Sequence, residues 1–399
     1  MRALLYATAL AALATATQAT EVRAAEIQAP IPDAATPLSE LIITASRSPR
    51  PADQVTQSVT VFDAEAIRQS HVVLVADLLA TTPGLSVSRN GGPGGVTSLR
   101  IRGAEADHTV VLVDGIRLND PSQPAGGYNF ANLVAGDVSR IEVLRGPQST
   151  LWGSQAIGGV VNIVTTQARS PLEGNASLEA GSMASRTARA ALGGQQGAVT
   201  WRLAASRHET DGVSAFRGGR EADGYTNDGA SGRLSADLTG NLSLDLRAAY
   251  SRGRTGFDGF PAPAFSFADT AEYGTTTDRL GYAGLNLALM DGALRNRLAV
   301  TEAATDTRLY NPDRASLSLT FDGRGRTRRL EYQGSLALGS DWTATFGLDR
   351  ERASMNTRSP SPFAPNPPPS RARVTLTGLY GQIEGQALEG LTVTAGLRR

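Results

Sequence analysis

Three histidines, one glycine-rich run and several clusters of carboxylates are the residues whose types could do chemistry in this chain. His71, His108 and His208 are scattered, and none has a second histidine at metal-ligand spacing. They therefore support neither a zinc triad nor a Ser-His-Asp triad. Gly91-Gly92-Pro93-Gly94-Gly95 lacks the Lys-Ser/Thr that a phosphate loop requires and the strand–loop–helix setting of a dinucleotide site. It reads as a flexible apex loop. The chain contains no cysteine, which removes disulfides, thiolate metal ligands and thiol nucleophiles. An enzyme reading finds no constellation to support it.

Composition narrows the class further. The 38 basic residues are balanced by 38 acidic ones, so no electrostatic argument favours nucleic acid. Glycine is abundant, at 43 of 399 residues, which suits many short strands and turns better than a helical bundle.

The chain opens with an export signal. Met1-Arg2 precedes an uncharged apolar stretch, Ala3 to Ala16, too short to span a bilayer, with small residues at candidate cleavage sites after Ala19 and Ala24. Residues 1–25 are thus expected to be a signal peptide. Residues 26–50 read as a Pro- and Ala-rich leader that carries one β-prone island, Leu41-Ile42-Ile43-Thr44-Ala45. Such an island is not stable alone and needs a partner edge.

Residues 51–168 have a mixed α/β pattern. Ser58 to Phe62 alternates like a strand, and Asp63 is placed to cap a helix containing Ala66 and Ile67. Leu74, Leu78 and Leu79 suit the inner face of a second helix, stopped at Pro83-Gly84. Strands are expected at Leu99–Arg102, Thr109–Val113, Arg140–Leu144 and Gly159–Val164.

From residue 171 to 399 the pattern changes to period-two alternation, as in Leu242-Ser243-Leu244-Asp245-Leu246-Arg247. About eleven strands of roughly ten residues are expected, the length of a tilted membrane strand. Tight connections at Gly240, Asp291-Gly292, Gly339-Ser340 and Glu389-Gly390 alternate with long polar ones at 210–228, 254–276, 309–325 and 353–371. A membrane barrel has that asymmetry because its two rims face different compartments. A soluble β-sandwich explains the alternation but not the loop lengths. Because an open sheet in lipid leaves both edges unpaired, the sequence is expected to be part of a longer chain.

Between the leader and the barrel lie the segments Leu99-Arg100-Ile101-Arg102-Gly103, Val111 to Asn119, Ile141 to Ser149 and Trp152 to Ile163. In this order they resemble the plug of TonB-dependent outer-membrane receptors. The resemblance implies an α+β plug domain followed by an antiparallel transmembrane β-barrel, here the first ~11 of ~22 strands. It implies a multi-pass protein of the cell outer membrane that takes up a scarce ligand under energy coupling. The TonB box would be Glu40, Leu41, Ile42, Ile43, Thr44, Ala45 and Ser46, pairing with the periplasmic energy-coupling protein TonB by β-augmentation.

Within that family the likeness extends to the members that carry cobalamin, through Asn90-Gly91-Gly92, Ser98, Ile101-Arg102-Gly103 and Asp107-His108. Their corrinoid contacts would fall on Val96, Ser98, Glu105, Gln123 and Pro124, the last three departing in residue type. Those members order two outer loops around calcium. Here Asp211, Asp223 and Asp228 in one loop, and Phe257, Asp258 and Asp269 in the next, would supply the oxygen ligands that calcium needs. Thr226 stands where another carboxylate is expected, and Asp223 would substitute. A siderophore receptor is the alternative within the family, with Arg217, Arg220 and Tyr225 suited to an anionic iron chelate. A passive porin or adhesin barrel is the alternative outside it, and the plug and island argue against that.

Overall fold

The structure is a computed structural model that describes residues 57–123, 126–313 and 318–399, with the backbone of 41–42 and 50–51. The expected signal peptide, most of the leader, Glu40, Ile43–Ser46 of the TonB box and Pro124 lie outside the described residues. Leu41 and Ile42 form a short strand, β1, paired antiparallel with β2, Arg50–Pro51.

The plug begins with β3, Ser58–Asp63. Asp63 then ends the strand and caps α1, Ala64–Gln69, by accepting the Ala66 N–H at 2.7 Å. Helix α2, Val75–Leu79, buries Val75, Ala76, Leu78 and Leu79. A hairpin follows, β4 (Leu85–Arg89) and β5 (Thr97–Ile101), whose tip is the glycine-rich run. The central sheet has the order β3-β8-β9-β6-β7, with β6 at Thr109–Val113, β7 at Ile116–Arg117, β8 at Val138–Arg145 and β9 at Gly159–Thr165. Only the β6–β9 pairing in it is parallel. All five positions of β6 are buried, as expected for a strand covered on both faces. One face packs against α2 and the β4–β5 hairpin through Val111, Val113, Ile141 and Ile163. The other packs on Leu151 and Trp152 of α3, Ser149–Trp152.

Eleven strands, β10 to β20, then form one antiparallel meander in sequence order. They are β10 Glu173–Ala180, β11 Arg186–Gln196, β12 Val199–Thr210, β13 Tyr225–Asp237, β14 Leu242–Gly259, β15 Ala268–Leu289, β16 Leu294–Tyr310, β17 Leu319–Leu338, β18 Trp342–Arg358, β19 Ser370–Leu388 and β20 Leu391–Arg398. Most are longer than the ten residues expected, and β15 has 22. The segments read as long loops are therefore partly strand, and the free connections at three of them shrink to 211–224, 260–267 and 359–369.

Alternation decides what each strand presents. Arg202, Tyr225, Asn227, Tyr282, Ala299 and Tyr380 point inward and are buried. The neighbouring positions point outward, and Leu203, Val300, Leu330 and Leu348 are each about half exposed or more. An apolar outer wall and a polar, filled interior are what a strand wall in lipid requires. No helix of the described residues is long and apolar enough to cross a membrane.

Candidate functional site

Three sets of contacts tie the plug to the wall, and a carboxylate cluster sits above them at the outer loops. The lowest contact is Arg202 of β12, whose Nε and Nη2 each donate to the Asp137 carboxylate at 2.7 Å. Glu173 and Asn175 take the remaining donors at 3.4 and 3.0 Å. A guanidinium matches a carboxylate in this forked geometry, and burial strengthens the pairing.

Higher up, Arg117 of β7 enters a ladder of lumen-facing charges on β17 and β18. Its Nη1 lies 3.5 Å from Glu351, and its Nη2 donates to the Trp152 carbonyl. Arg329 in turn contacts Glu331, Asp349 and Glu351 at 3.2, 3.2 and 3.6 Å. Asp114 and Arg247 also meet across the seam, through the Asp114 carbonyl.

The plug apex reaches the roots of the first two large loops. Thr255 Oγ1 of β14 donates to the Gly94 carbonyl at 3.1 Å. Gly94 has φ 79°, and a Cβ there would come within 2.2 Å of both Tyr225 and Thr255, so only glycine fits. Tyr225 itself is fully buried and donates to Asn132 Oδ1 of the plug at 3.1 Å. That contact makes it part of the plug–wall seam, a different place from the ligand-facing one read for the siderophore alternative.

Above the apex four carboxylates converge. One oxygen each from Glu221, Asp258 and Asp269 lie within 4.8 Å of one another. Asp258 holds the loop 211–224 by accepting the Phe216 N–H at 2.6 Å and Ser214 Oγ at 3.1 Å. Its other oxygen accepts the Thr270 N–H at 2.9 Å. Asp269 accepts the Arg220 N–H at 2.7 Å. Asp223, only 1% exposed, accepts the Ala215 N–H at 2.7 Å through Oδ2, and its Oδ1 is buried without a hydrogen bond among the described residues. Glu221 Oε1 is likewise buried without one. A β-bulge at Phe257–Gly259 turns Asp258 into this cluster.

Oxygen-only ligands, converging charge and unfilled acceptors fit a hard divalent cation such as calcium. Calcium–oxygen distances of about 2.3–2.6 Å allow ligand atoms up to ~5 Å apart. Of the residues singled out in the sequence, Asp223, Asp258 and Asp269 come together here. Asp211 is exposed at the head of its loop, with its N–H bonded to Met183. Asp228 points outward on β13 and pairs with Arg207 at 2.9 Å. Phe257 contributes to the bulge. Glu221, which sequence reasoning missed, completes the group; two residues before Asp223 in a polar loop, it carried no periodic signal.

The proposed ligand contacts on the plug are spread out. Val96 is exposed at the hairpin tip, and Ser98 is half-buried opposite Ser88. Glu105 follows the other end of β5 and lies 3.6 Å from Arg100. The Gln123 N–H donates to the Asp120 carbonyl at 3.2 Å.

Burial, followed by the charges of Asp223, Asp258 and Asp269, pushes the Glu221 carboxyl above its usual range. Asp223 is raised mainly by burial, and the Ala215 N–H opposes that shift. A carboxyl raised in the folded arrangement favours it while protonated, and the benefit is lost as pH rises through the raised value. With chelator present, the amides of Phe216, Arg220 and Thr270 are therefore expected to lose hydrogen-exchange protection, relative to the intrinsic exchange rate, as pH rises above the ordinary carboxylate range. With calcium the trend should reverse, because protons then compete with the metal. Protection that is flat with pH in chelator would mean that these carboxylates do not strain the loops.

Residues 51–160 match the TonB-dependent Receptor Plug Domain family. Over 148 residues the chain is 38% identical to the vitamin B12 transporter BtuB of Vibrio vulnificus strain CMCP6, covering 37% of this chain and 24% of that protein. Over 217 residues it is 30% identical to the same transporter of strain YJ016, covering 53% of this chain and 33% of that protein. The chain thus spans a quarter to a third of the curated relatives it matches. Among solved structures, the ferripyoverdine receptor of the Pseudomonas aeruginosa outer membrane superposes with a TM-score of 0.72 at 16% identity, covering 90% of this chain and 53% of that one. The ferric enterobactin receptor PfeA of the same organism gives 0.72 at 20% identity, covering 90% and 59%. At these identities the superpositions establish the fold alone: a plug domain followed by an antiparallel wall of strands.

Proposed function

We propose that this chain, which belongs to the TonB-dependent receptors of the outer membrane, captures a corrinoid and passes it inward under energy coupling. The observation that carries the reading is the position of the carboxylate cluster. It joins the loop 211–224 to the outer ends of β14 and β15, and the wall residues beneath, Tyr225 and Thr255, touch the plug at Asn132 and Gly94. A cation held there would order the mouth directly above the plug apex. The ligand class rests on similarity to the vitamin B12 transporters, and the siderophore receptors among the solved neighbours support the barrel fold rather than their own ligands. A passive pore is disfavoured because the plug fills the interior and is bonded to it by buried ion pairs.

In this reading Leu41–Ala45 is the segment that pairs with the edge strand of the periplasmic protein TonB, through main-chain hydrogen bonds. Glu221, Asp223, Asp258 and Asp269 would hold calcium, which supplies charge neutralisation and fixes the loops. The metal removes carboxylate repulsion before ligand arrives, so less binding energy goes to ordering the loops. Cobalamin affinity of the purified protein is expected to rise about 5- to 150-fold with calcium over chelator. Asp258→Ala and the gentler Asp258→Asn should abolish that difference. Equal affinity in all conditions would return the cluster to a set of hydrogen-bonding loop residues.

A further inference from the structure

Between plug and wall lies a cavity of about 140 Å³. The wall side is built from small residues, Ala204, Gly229, Ala249, Ala303 and Gly325 among them, which do not reach across the seam. Asn119 and Asp120 of the plug and Asp278 of β15 also line it. Asn119 donates its side-chain amide to the Gly126 carbonyl at 3.2 Å, which leaves Oδ1 turned the other way, buried and without a hydrogen bond among the described residues. Asp120 Oδ1 accepts the Ser122 N–H and hydroxyl at 2.8 and 2.7 Å, while Oδ2 is buried without a partner among those residues. Asn119 is 8% exposed and Asp120 4%.

Register brings the wall carboxylate beside these two. Asp278, Thr305 and Gly325 form one row across β15, β16 and β17. A Cβ on Gly325 would come within 2.0 Å of Asp120 Oδ1, so the plug carboxylate rests on the wall backbone at that point. The backbone of Asp278 lies two strand spacings from Gly325, ~10 Å. Its side chain leans into that gap, accepting the Thr305 hydroxyl at 2.7 Å. The one cationic side chain on the described lining is Arg189 of β11, which pairs with Glu179. Four strands separate it from β15, about 19 Å along the wall.

We infer that the seam holds a divalent cation such as calcium, between Asn119 and Asp120 of the plug and Asp278 of the wall. Two carboxylates that face one enclosed space repel each other, and the low dielectric of the interior sharpens the repulsion. Water can satisfy their lone pairs but cannot neutralise them, whereas one divalent ion does both. Carboxylate and amide oxygens are the ligands a hard cation takes, and the cavity has room for waters to complete a shell of six to eight. The bound ion would also fix a turn of the plug. Asp120 holds that turn through Ser122, and its carbonyl accepts the Gln123 N–H at 3.2 Å. The site shares no residue with the carboxylate cluster of the outer loops and does not depend on the corrinoid reading.

The test counts calcium bound to the purified full chain in detergent, by equilibrium dialysis, in a D258N/D269N background that disarms the outer cluster. One calcium should remain there, and adding either D278N or D120N should release it. Both changes keep the side-chain shape, and they lie on different elements, so a folding defect in one leaves the other to decide. Calcium should also raise the hydrogen-exchange protection of the Ser122 and Gln123 amides in D258N/D269N, but not once D278N is added. If D258N/D269N binds no calcium, or binds it undiminished with D278N and with D120N, the seam oxygens are served by water or a shared proton and the inference is overturned. If D258N/D269N binds as much calcium as wild type and D278N removes it, the seam site stands and the outer cluster is not a metal site.

Discussion

Replacing Ile43 with proline is expected to abolish energy-coupled uptake while leaving ligand binding unchanged. The proposed handle is the β-prone island Leu41–Ala45, and pairing by β-augmentation needs the backbone N–H that proline lacks. Ile43 lies outside the described residues, but its neighbours show what must be displaced. Leu41 and Ile42 are paired with Pro51 and Arg50 over two residues only. A ladder that short is marginal in water, so a partner strand of ordinary length would outcompete it. Binding among the outer loops and plug apex involves none of these residues. The measurement is uptake of labelled cobalamin by cells producing Ile43→Pro, beside binding to the same cells. Normal uptake would remove Leu41–Ala45 from the mechanism, and loss of binding would mean that the island has a structural role instead.

The second large effect is expected at the base of the plug. Arg202 and Asp137 form a buried, forked pair between wall and plug. Truncating one partner leaves the other charge buried and uncompensated, which typically costs about 3–5 kcal/mol. Arg202→Ala should therefore loosen the plug and open the barrel to solutes that wild type excludes. Arg202→Lys keeps the charge but not the fork, so it should be intermediate. The double change Arg202→Leu with Asp137→Leu, which removes both charges, should be milder than Arg202→Ala. Permeation of a large antibiotic into cells producing each variant reads the effect. If Arg202→Ala cells exclude it as well as wild type, the pair is not what holds the plug at its base.

Much of this architecture was legible from the residues. Asp63 as a cap, Thr109–Val113 as a buried strand and the eleven alternating segments follow from local rules: side-chain oxygens satisfy helix termini, and alternation betrays a wall with two environments. Strand lengths were less legible, because polar residues such as Thr275 and Thr277 sit equally well on a loop or on a strand that has left the bilayer. The carboxylate cluster was legible in part. Asp258 and Asp269 carry it, but its geometry depends on the bulge at Phe257–Gly259, which no periodicity announces. Asp228 could have been assigned from parity alone. It alternates with Tyr225 and Asn227, which face the plug, so it must face out.

A plugged barrel is expected to move its ligand only when energised from the periplasmic side. The most direct test is accumulation of labelled cobalamin by cells producing the protein, with and without a protonophore. Binding at the surface should survive the protonophore, and accumulation should stop. Accumulation that continues unchanged would rule out energy coupling, because a ligand that enters without energy has passed through an open pore rather than a coupled receptor.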